Sequence, residues 1–74
     1  MEIFLRGKEQ VGQALRRFRK AAGKTQVELS QESRMDQGMI SKIESGARFP
    51  ELSTLFHLCS ILNLEIVLRR RNKK

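Results

Sequence analysis

The sequence is poor in the features that mark several large classes of protein. It has a single cysteine, Cys59, so no disulfide bond can form within the chain, and this suits a reducing compartment. No apolar run approaches the roughly 18 residues that a membrane-spanning helix needs. The apolar run in the opening residues MEIFLRGKEQ is too short for a signal peptide. We therefore expect a cytoplasmic protein.

The groupings of side chains that support catalysis are also missing from the sequence. We find no pairing of a nucleophile with a base and no phosphate-binding loop. The one histidine, His57, has no cysteine or carboxylate cluster at the spacing of metal ligands, so we interpret it as a surface or half-buried helix residue. We expect no enzymatic activity, no cofactor and no metal.

Positive charge is the strongest compositional feature. The 74 residues carry a formal net charge of +7 at pH 7. Such a surface can serve solubility alone, or it can bind a polyanion, of which nucleic acid is the commonest.

The length allows one domain, 1–74, and a chain this short buries only roughly 60% of its unfolded surface. Small domains often make up this deficit by oligomerising.

Apolar residues at helical spacing predict a first helix from Lys8 to Ala22, which Gly23 ends. Its apolar stripe consists of Val11, Ala14, Leu15, Phe18 and Ala22. Thr25 and Glu28 then have the spacing of a capping box. A second helix is therefore expected from about Gln26 to Ser33.

Asp36 is the candidate N-cap of a third helix, which runs to about Ser45 and stops at Gly46. After a loop that contains Pro50, a fourth helix is predicted from about Leu52 to Leu62. The buried positions expected from the second helix onward are Leu29, Met35, Ile40, Ile43, Leu52, Leu55, Phe56, Cys59 and Leu62. Cys59 is thus interpreted as a core residue.

The pattern changes to period two after the fourth helix, because Leu64, Ile66 and Leu68 alternate with other residues. This alternation predicts a β-strand over 63–69. A lone strand needs a neighbour, which either the N-terminal EIFLR or a second copy of the chain can supply. We favour the second copy, and thus expect a helical core at 8–62, a dimerising strand at 63–69 and a basic tail at 70–74.

Two short helices joined by a tight turn and carried by two flanking helices indicate a helix-turn-helix. Over about residues 8–62 the sequence resembles the phage-repressor-like helix-turn-helix family. The residues that carry this resemblance are Thr25, Gln26, Leu29, Ile40, Ser41, Glu44 and Gly46. The expected fold is all-α, with four to five helices and a short C-terminal β-strand that pairs across a homodimer. The resemblance also implies an ion pair between Arg19 and Glu44.

Within that family the chain looks most like the small antitoxins of the HipB type, in its size and in the segment LNLEIVLRR that follows the last helix. This resemblance implies a homodimer closed by paired strands. It also implies a HipA-like serine/threonine kinase toxin as partner, and repression of the protein's own operon.

The sequence departs from the family pattern at three positions. Arg34 occupies a turn position that is usually glycine, and an arginine with positive φ is disfavoured, so we expect strain or rearrangement there. Ser30 replaces a small apolar residue, and Glu51 stands where a serine or threonine cap is usual.

The resemblance places the DNA-reading surface on the third helix, at Gln37, Gly38, Ser41 and Lys42. Gln37 can bind adenine with two hydrogen bonds, Lys42 can reach guanine or a phosphate, and Ser41 serves either purpose. Glycine at position 38 lets the backbone approach the bases, and Met39 is a candidate for a thymine methyl group. The remaining candidates, for phosphate contacts, are Lys24, Thr25, Gln26 and Arg48.

Each candidate also has a simpler interpretation. Gln37, Ser41 and Lys42 would suit a solvated helix face, Met39 can simply pack, Thr25 is first a helix cap, and Arg48 can be a loop charge. The charge and the motif register together favour the DNA-binding interpretation.

Three hypotheses for the function follow. The first is a sequence-specific repressor on a palindromic operator, which also neutralises a toxin or stands alone as a regulator. The second is a protein whose main task is to bind that toxin. The third is a non-specific nucleic-acid or architectural protein.

Overall fold

The computed structural model of the chain describes residues 1–72, and within that range all of its regular secondary structure is helical. A 3₁₀-helix, Lys8–Gln10, leads into four α-helices. The α-helices are α1 (Val11–Ala21), α2 (Gln26–Ser33), α3 (Gln37–Ser45) and α4 (Leu52–Ile61). The predicted bounds of the second and third helices are confirmed. The last two residues of the predicted basic tail, Lys73 and Lys74, lie outside the described residues.

The start of α2 has the predicted capping box. Thr25 Oγ1 accepts a hydrogen bond from the backbone N–H of Glu28 at 3.0 Å, and the Glu28 carboxylate accepts one from the N–H of Thr25 at 2.8 Å. These two bonds satisfy backbone donors that a helix start otherwise leaves free. Asp36 and Glu51 occupy the N-cap positions of α3 and α4, but neither side chain makes a capping hydrogen bond.

Three of the helices end in the same way, with a left-handed residue followed by a backbone hydrogen bond that closes the last turn. The left-handed residues are Gly23 after α1, Arg34 after α2 and Asn63 after α4, with φ values of 73°, 60° and 60°. The N–H group of the next residue donates to a carbonyl five residues back in each case. This is the 6→1 bond of the Schellman motif. Arg34 therefore keeps the turn that glycine usually makes, at a cost of about 1–2 kcal/mol.

The core lies where α3 contacts α1 and α2, and where α4 contacts α2. Its buried apolar residues are Val11, Ala14, Leu15, Leu29, Ile40, Ile43, Leu58, Cys59 and Leu62. The prediction is confirmed for all of these except Leu58, which the sequence analysis did not include. Burial raises the pKa of the Cys59 thiol, which is consistent with its interpretation as a core residue. Phe18, Met35 and Leu55 are only partly buried.

The prediction was wrong for three apolar residues. Ala22 is exposed, and Leu52 and Phe56 keep 66% and 52% of their surface accessible. The apolar stripe of α4 is wider than the face that the helix buries. Its orientation directs Leu58 inward instead, with 2% exposure. Leu52 and Phe56 fall to one side of that buried face.

A close approach of two backbones fixes α3 against α1. A Cβ atom added to Gly12 would lie 2.1 Å from the carbonyl oxygen of Ile43, which is a severe clash with main chain. Only glycine allows α1 and α3 to come this near to each other.

The predicted strand over 63–69 is not formed in the single chain. Asn63 is the left-handed residue that ends α4, and no backbone hydrogen bond joins the following residues to another strand within 1–72. Leu64 packs partly against the core, whereas Ile66 and Leu68 are 46% and 95% exposed. A strand requires a neighbour, so pairing between two copies stays a prediction. No helix within the described residues is long and apolar enough to cross a membrane.

Candidate nucleic-acid interface

The outer face of α3 carries the predicted reading residues. Gln37, Gly38, Ser41 and Lys42 are all exposed. Residues four apart are neighbours on a helix surface, so Gln37 lies beside Ser41, and Gly38 lies beside Lys42. Within residues 1–72 no hydrogen bond or ion pair engages these side chains. The structure therefore leaves their donors and acceptors available to a ligand.

Two residues near the start of α3 have additional structural roles. Met39 is partly buried and packs against the hydrophobic core, so packing accounts for much of its side chain. A Cβ atom at Gly38 would lie 2.8 Å from the carboxylate oxygen Oδ2 of Asp36. Glycine at this position therefore leaves room for the Asp36 side chain as well as for a close ligand.

The opposite side of α3 is held by the predicted ion pair between Arg19 and Glu44. Arg19 Nε and Nη2 donate to the two carboxylate oxygens of Glu44 at 2.7 and 2.9 Å. Their side chains are only 7% and 4% exposed. The prediction of this pair is confirmed, and its bidentate geometry fixes α3 relative to α1.

Gln26, at the first position of α2, joins the same pair. Its Nε2 atom donates to Glu44 Oε1 at 3.0 Å. Because a carboxylate only accepts, this contact determines which end of the Gln26 amide faces inward. The sequence analysis found Gln26 as a candidate but missed this partner, since the two residues are far apart in the chain and no local pattern links them.

The electrostatic state of Glu44 follows from these contacts. Burial alone would raise the pKa of its carboxyl group. The hydrogen bonds from Arg19 and Gln26, together with the charges of Arg19 and Arg16, outweigh burial and lower that pKa. The hydrogen bond to Glu44 in turn raises the pKa of Arg19. The pair is therefore charged at neutral pH.

Arg19 also reaches the loop before α2, where its Nη1 donates to the backbone carbonyl of Lys24 at 2.7 Å. One arginine thus connects α1, this loop and α3. The start of α2 and the C-terminal end of α3 are thus joined by one group of hydrogen-bonded polar side chains.

The phosphate candidates are placed differently from one another. The Lys24 ammonium group is engaged by Glu32, at 2.8 Å, in a half-exposed ion pair that the sequence analysis missed. Thr25 uses its hydroxyl oxygen as the helix cap, and its hydroxyl proton remains available to a phosphate. Arg48 is exposed, and its backbone N–H donates to the carbonyl of Lys42 at 3.1 Å, which places it beside the end of α3.

His57 lies away from these residues. Its Nε2 atom is 2.8 Å from the carbonyl oxygen of Ser33, at the end of α2. His57 is exposed, which agrees with its interpretation as a surface or half-buried helix residue, and its contact with Ser33 joins α4 to the end of α2. Within the described residues, no three side chains of the metal-binding types cluster together.

The helices α2 and α3 are joined by a tight turn at Arg34 and carried by α1 and α4, which is the arrangement of helix-turn-helix proteins. Comparisons with known proteins agree. The sequence profile of the family described as "Helix-turn-helix domain" matches residues 10–71. A search of the curated proteins finds no match.

Several solved structures are similar to the chain. The clp gene regulator ClgR from C. glutamicum has 34% identity and a TM-score of 0.76, with 80% of this chain and 76% of that chain covered. The restriction-modification controller protein C.AhdI from Aeromonas hydrophila has 32% identity and a TM-score of 0.73, with 77% and 86% covered. HipB in its complex with the O2 20mer has 25% identity and a TM-score of 0.84, with 97% and 100% covered.

The chain therefore belongs to the phage-repressor-like helix-turn-helix family of DNA-binding regulators.

Proposed function

We propose that the protein is a sequence-specific transcriptional repressor that binds a palindromic operator as a homodimer. The observation that carries this proposal is the contrast between the two sides of α3. Its inner side is fixed by Glu44 and the core, while Gln37, Ser41 and Lys42 project from the outer side and their side chains make no hydrogen bond or ion pair within residues 1–72. A rigid helix with free polar groups is what reading base edges in the major groove requires.

The proposed roles follow from the chemistry of each side chain. Gln37 reads an adenine, Lys42 binds guanine or a phosphate, and Ser41 accepts from or donates to a neighbouring base. Gly38 allows close approach of the helix backbone. Met39 packs partly against the core, and its remaining exposed surface can contact a thymine methyl group.

A second group of residues contacts the phosphates of the DNA backbone. The capping box occupies the N–H groups of Thr25 and Glu28, so the backbone N–H groups of Gln26 and Val27 are the ones at the start of α2 that can bind a phosphate. Arg48 reaches the backbone from the end of α3. Lys24 joins this group only after its ammonium group leaves Glu32. These contacts set the register of the protein on DNA without reading sequence.

Replacement of a reading residue and of a phosphate-contacting residue tests these roles. We expect Gln37→Ala to weaken operator binding by about 1–3 kcal/mol and to relax the preference at one base pair. We expect Arg48→Ala to weaken binding to all sequences alike. It should also reduce the slope of log K against log salt concentration by about 1. Binding is measured by fluorescence anisotropy on the operator and on random DNA at several salt concentrations. If the two variants lose equal affinity on both DNAs, Gln37 does not read bases.

The proposed dimer forms through residues 63–69. Leu64, Ile66 and Leu68 alternate along the chain, so an extended backbone puts them on one face. An antiparallel pair of such strands is self-complementary under two-fold symmetry. That symmetry would place two reading helices about 34 Å apart, one turn of B-DNA, which matches a palindromic operator.

For the biological role we propose a HipB-like antitoxin that represses its own operon and neutralises a HipA-like serine/threonine kinase. The similarity to HipB over nearly the full length of both chains supports this. The similarity to ClgR and C.AhdI, at higher identity, favours the alternative of a regulator with no toxin partner. Co-purification of the tagged chain with the product of the neighbouring reading frame supports the antitoxin, provided that this product is a kinase. A neighbouring kinase that does not bind supports the alternative.

A further inference from the structure

The first six residues lie against the segment that follows α4. We call residues 1–6 the N-terminal strap and residues 64–69 the C-terminal segment. The guanidinium group of Arg69 stands 5.0 Å from the centre of the Phe4 ring, and its Nη2 atom is 4.0 Å from Glu2 Oε1. The guanidinium of Arg6 lies 5.8 Å from the same ring. A cation above an aromatic face is attracted to it, so Arg69 links the strap to the C-terminal segment.

The strap is also fixed at its other end. The side-chain oxygen of Gln10 accepts hydrogen bonds from the backbone N–H groups of Arg6 and Gly7, the latter at 3.2 Å. These bonds connect the strap to the start of α1. The strap is therefore held at both ends, by Gln10 and by Arg69.

Residues of different chemistry alternate along the strap. Arg69 contacts Glu2 and Phe4, which belong to one alternating set together with Arg6. The apolar residues Ile3 and Leu5 lie between them in the sequence. In an extended backbone, alternate residues point to opposite sides. The C-terminal segment alternates in the same way, with Leu64, Ile66 and Leu68 as one set and Arg69 in the other.

An open cavity of about 690 Å³ is lined by these two segments and by the helices beneath them. Its helical wall is apolar and includes Leu15, Phe18, Leu55 and Cys59. Residues 1–72 leave this space open, although Ile66 and Leu68 stay 46% and 95% exposed beside it. Exposed apolar groups next to an unfilled apolar cavity favour closure by further apolar side chains.

We propose that the N-terminal strap is part of the dimer interface, and that it holds the C-terminal segment ready for the same segment of a second copy. This inference rests on the proposed homodimer. We expect a second copy of the chain to cover the cavity, because two antiparallel copies of the C-terminal segment are self-complementary under two-fold symmetry. The exposed apolar residues Ile66 and Leu68 of this segment also line the cavity. Ordering a free segment costs conformational entropy at every residue. A segment that its own strap already holds loses less freedom when it binds, so the strap strengthens the dimer.

Arg69→Gln is the sharpest test, because it removes the two strap contacts and leaves the apolar residues unchanged. Arg70→Gln is the matched control, since within residues 1–72 Arg70 makes no ion pair or cation–π contact. We expect Arg69→Gln to raise the dimer dissociation constant about threefold to tenfold, and Arg70→Gln to change it less than about twofold. Sedimentation equilibrium of the full chain without DNA measures these constants. Deletion of residues 2–6 should weaken the dimer further, by more than about tenfold.

Circular dichroism establishes that each variant remains folded. If the deletion variant unfolds, Phe4→Ala replaces it, with Phe49→Ala as its control. A wild-type dimer that Arg69→Gln and the deletion leave unchanged overturns the role of the strap and leaves the proposed repressor dimer standing. A wild-type chain that is monomeric at micromolar concentration overturns both.

Discussion

Glu44 of α3 holds Arg19 of α1 through both of its carboxylate oxygens, at 2.7 and 2.9 Å, in a position almost closed to solvent. Two charges removed from water lose much of their hydration, so the net stability of such a pair is small. Loss of one partner is a different matter, because it leaves the other charge buried alone. The pair therefore acts mainly to fix the position of α3.

We expect Glu44→Ala to lower the free energy of unfolding by about 3–5 kcal/mol, since Arg19 is left without its counter-charge. Urea denaturation measures the loss. If that variant does not fold, Glu44→Gln should show a smaller loss, because its amide keeps one accepting oxygen while it replaces the other with an NH2 donor and removes the charge. The double variant Arg19→Met, Glu44→Leu should be more stable than Glu44→Ala. A loss below about 1 kcal/mol for Glu44→Ala would show that the pair behaves like a surface pair.

The lowered pKa of Glu44 makes stability depend on acid. The folded state holds the proton less tightly than the unfolded state, so the unfolded state binds more protons at low pH. The stabilisation is fully present above the ordinary value of 4.5 and is lost as the pH falls through the lowered folded pKa. Urea midpoints from about pH 7 to pH 3 should fall more steeply for the wild type than for Glu44→Gln. Parallel curves would contradict this, and Glu51→Gln serves as the control.

Arg34 offers a route to higher stability. Its φ of 60° is unfavourable for an arginine and costs glycine nothing. We expect Arg34→Gly to raise the free energy of unfolding by about 0.5–1 kcal/mol, because relief of this strain exceeds the extra entropy of glycine in the unfolded chain. Thermal denaturation gives the change. Arg34→Ala removes the same charge but not the strain, so an equal gain in that variant would assign the effect to charge.

Glu32 should weaken DNA binding through Lys24. Its carboxylate holds the ammonium group that would otherwise reach a phosphate. We expect Glu32→Gln to raise the affinity for operator and random DNA alike, about two- to fivefold at low salt, because a half-exposed pair contributes under about 1 kcal/mol. In a Lys24→Ala background the same substitution should have little effect. An undiminished gain in that background would mean that Glu32 acts on DNA directly.

Ile66 lies at the centre of the proposed dimer seam. Ile66→Asp would bury a charge there, so we expect the dimer to dissociate and operator binding to weaken greatly. Val67→Asp is the control, because alternate residues of a strand point to opposite sides and Val67 is 64% exposed. Sedimentation velocity distinguishes monomer from dimer. Equal effects of the two substitutions would rule out the alternation on which the seam depends.

Features of the fold that depend on neighbouring residues could be predicted from the sequence. The Thr25 and Glu28 capping box and the glycine after Ser45 act within one helical turn, so α2 and α3 were bounded correctly. Leu58 was missed because periodicity gives the width of an apolar stripe, but only packing decides which edge of it is buried. The same reason explains the error at Leu52 and Phe56.

The candidate site shows the same division between local and distant causes. The exposed positions on α3 follow from helical spacing and the family resemblance. The contact of Gln26 with Glu44, and that of Lys24 with Glu32, join side chains brought together only by folding. Long, flexible side chains have many reachable partners, and sequence spacing does not choose among them.

The close packing of the Gly12 backbone against α3 bears on how a new DNA sequence preference can evolve in such a protein. Because main chain rests on main chain there, the depth of α3 in the domain does not depend on the residues that face outward. Substitutions at exposed positions such as Gln37, Ser41 and Lys42 should therefore alter stability by no more than about 0.5 kcal/mol. Preference for a new operator can thus arise by single substitutions on α3, while the position of this helix in the domain stays the same.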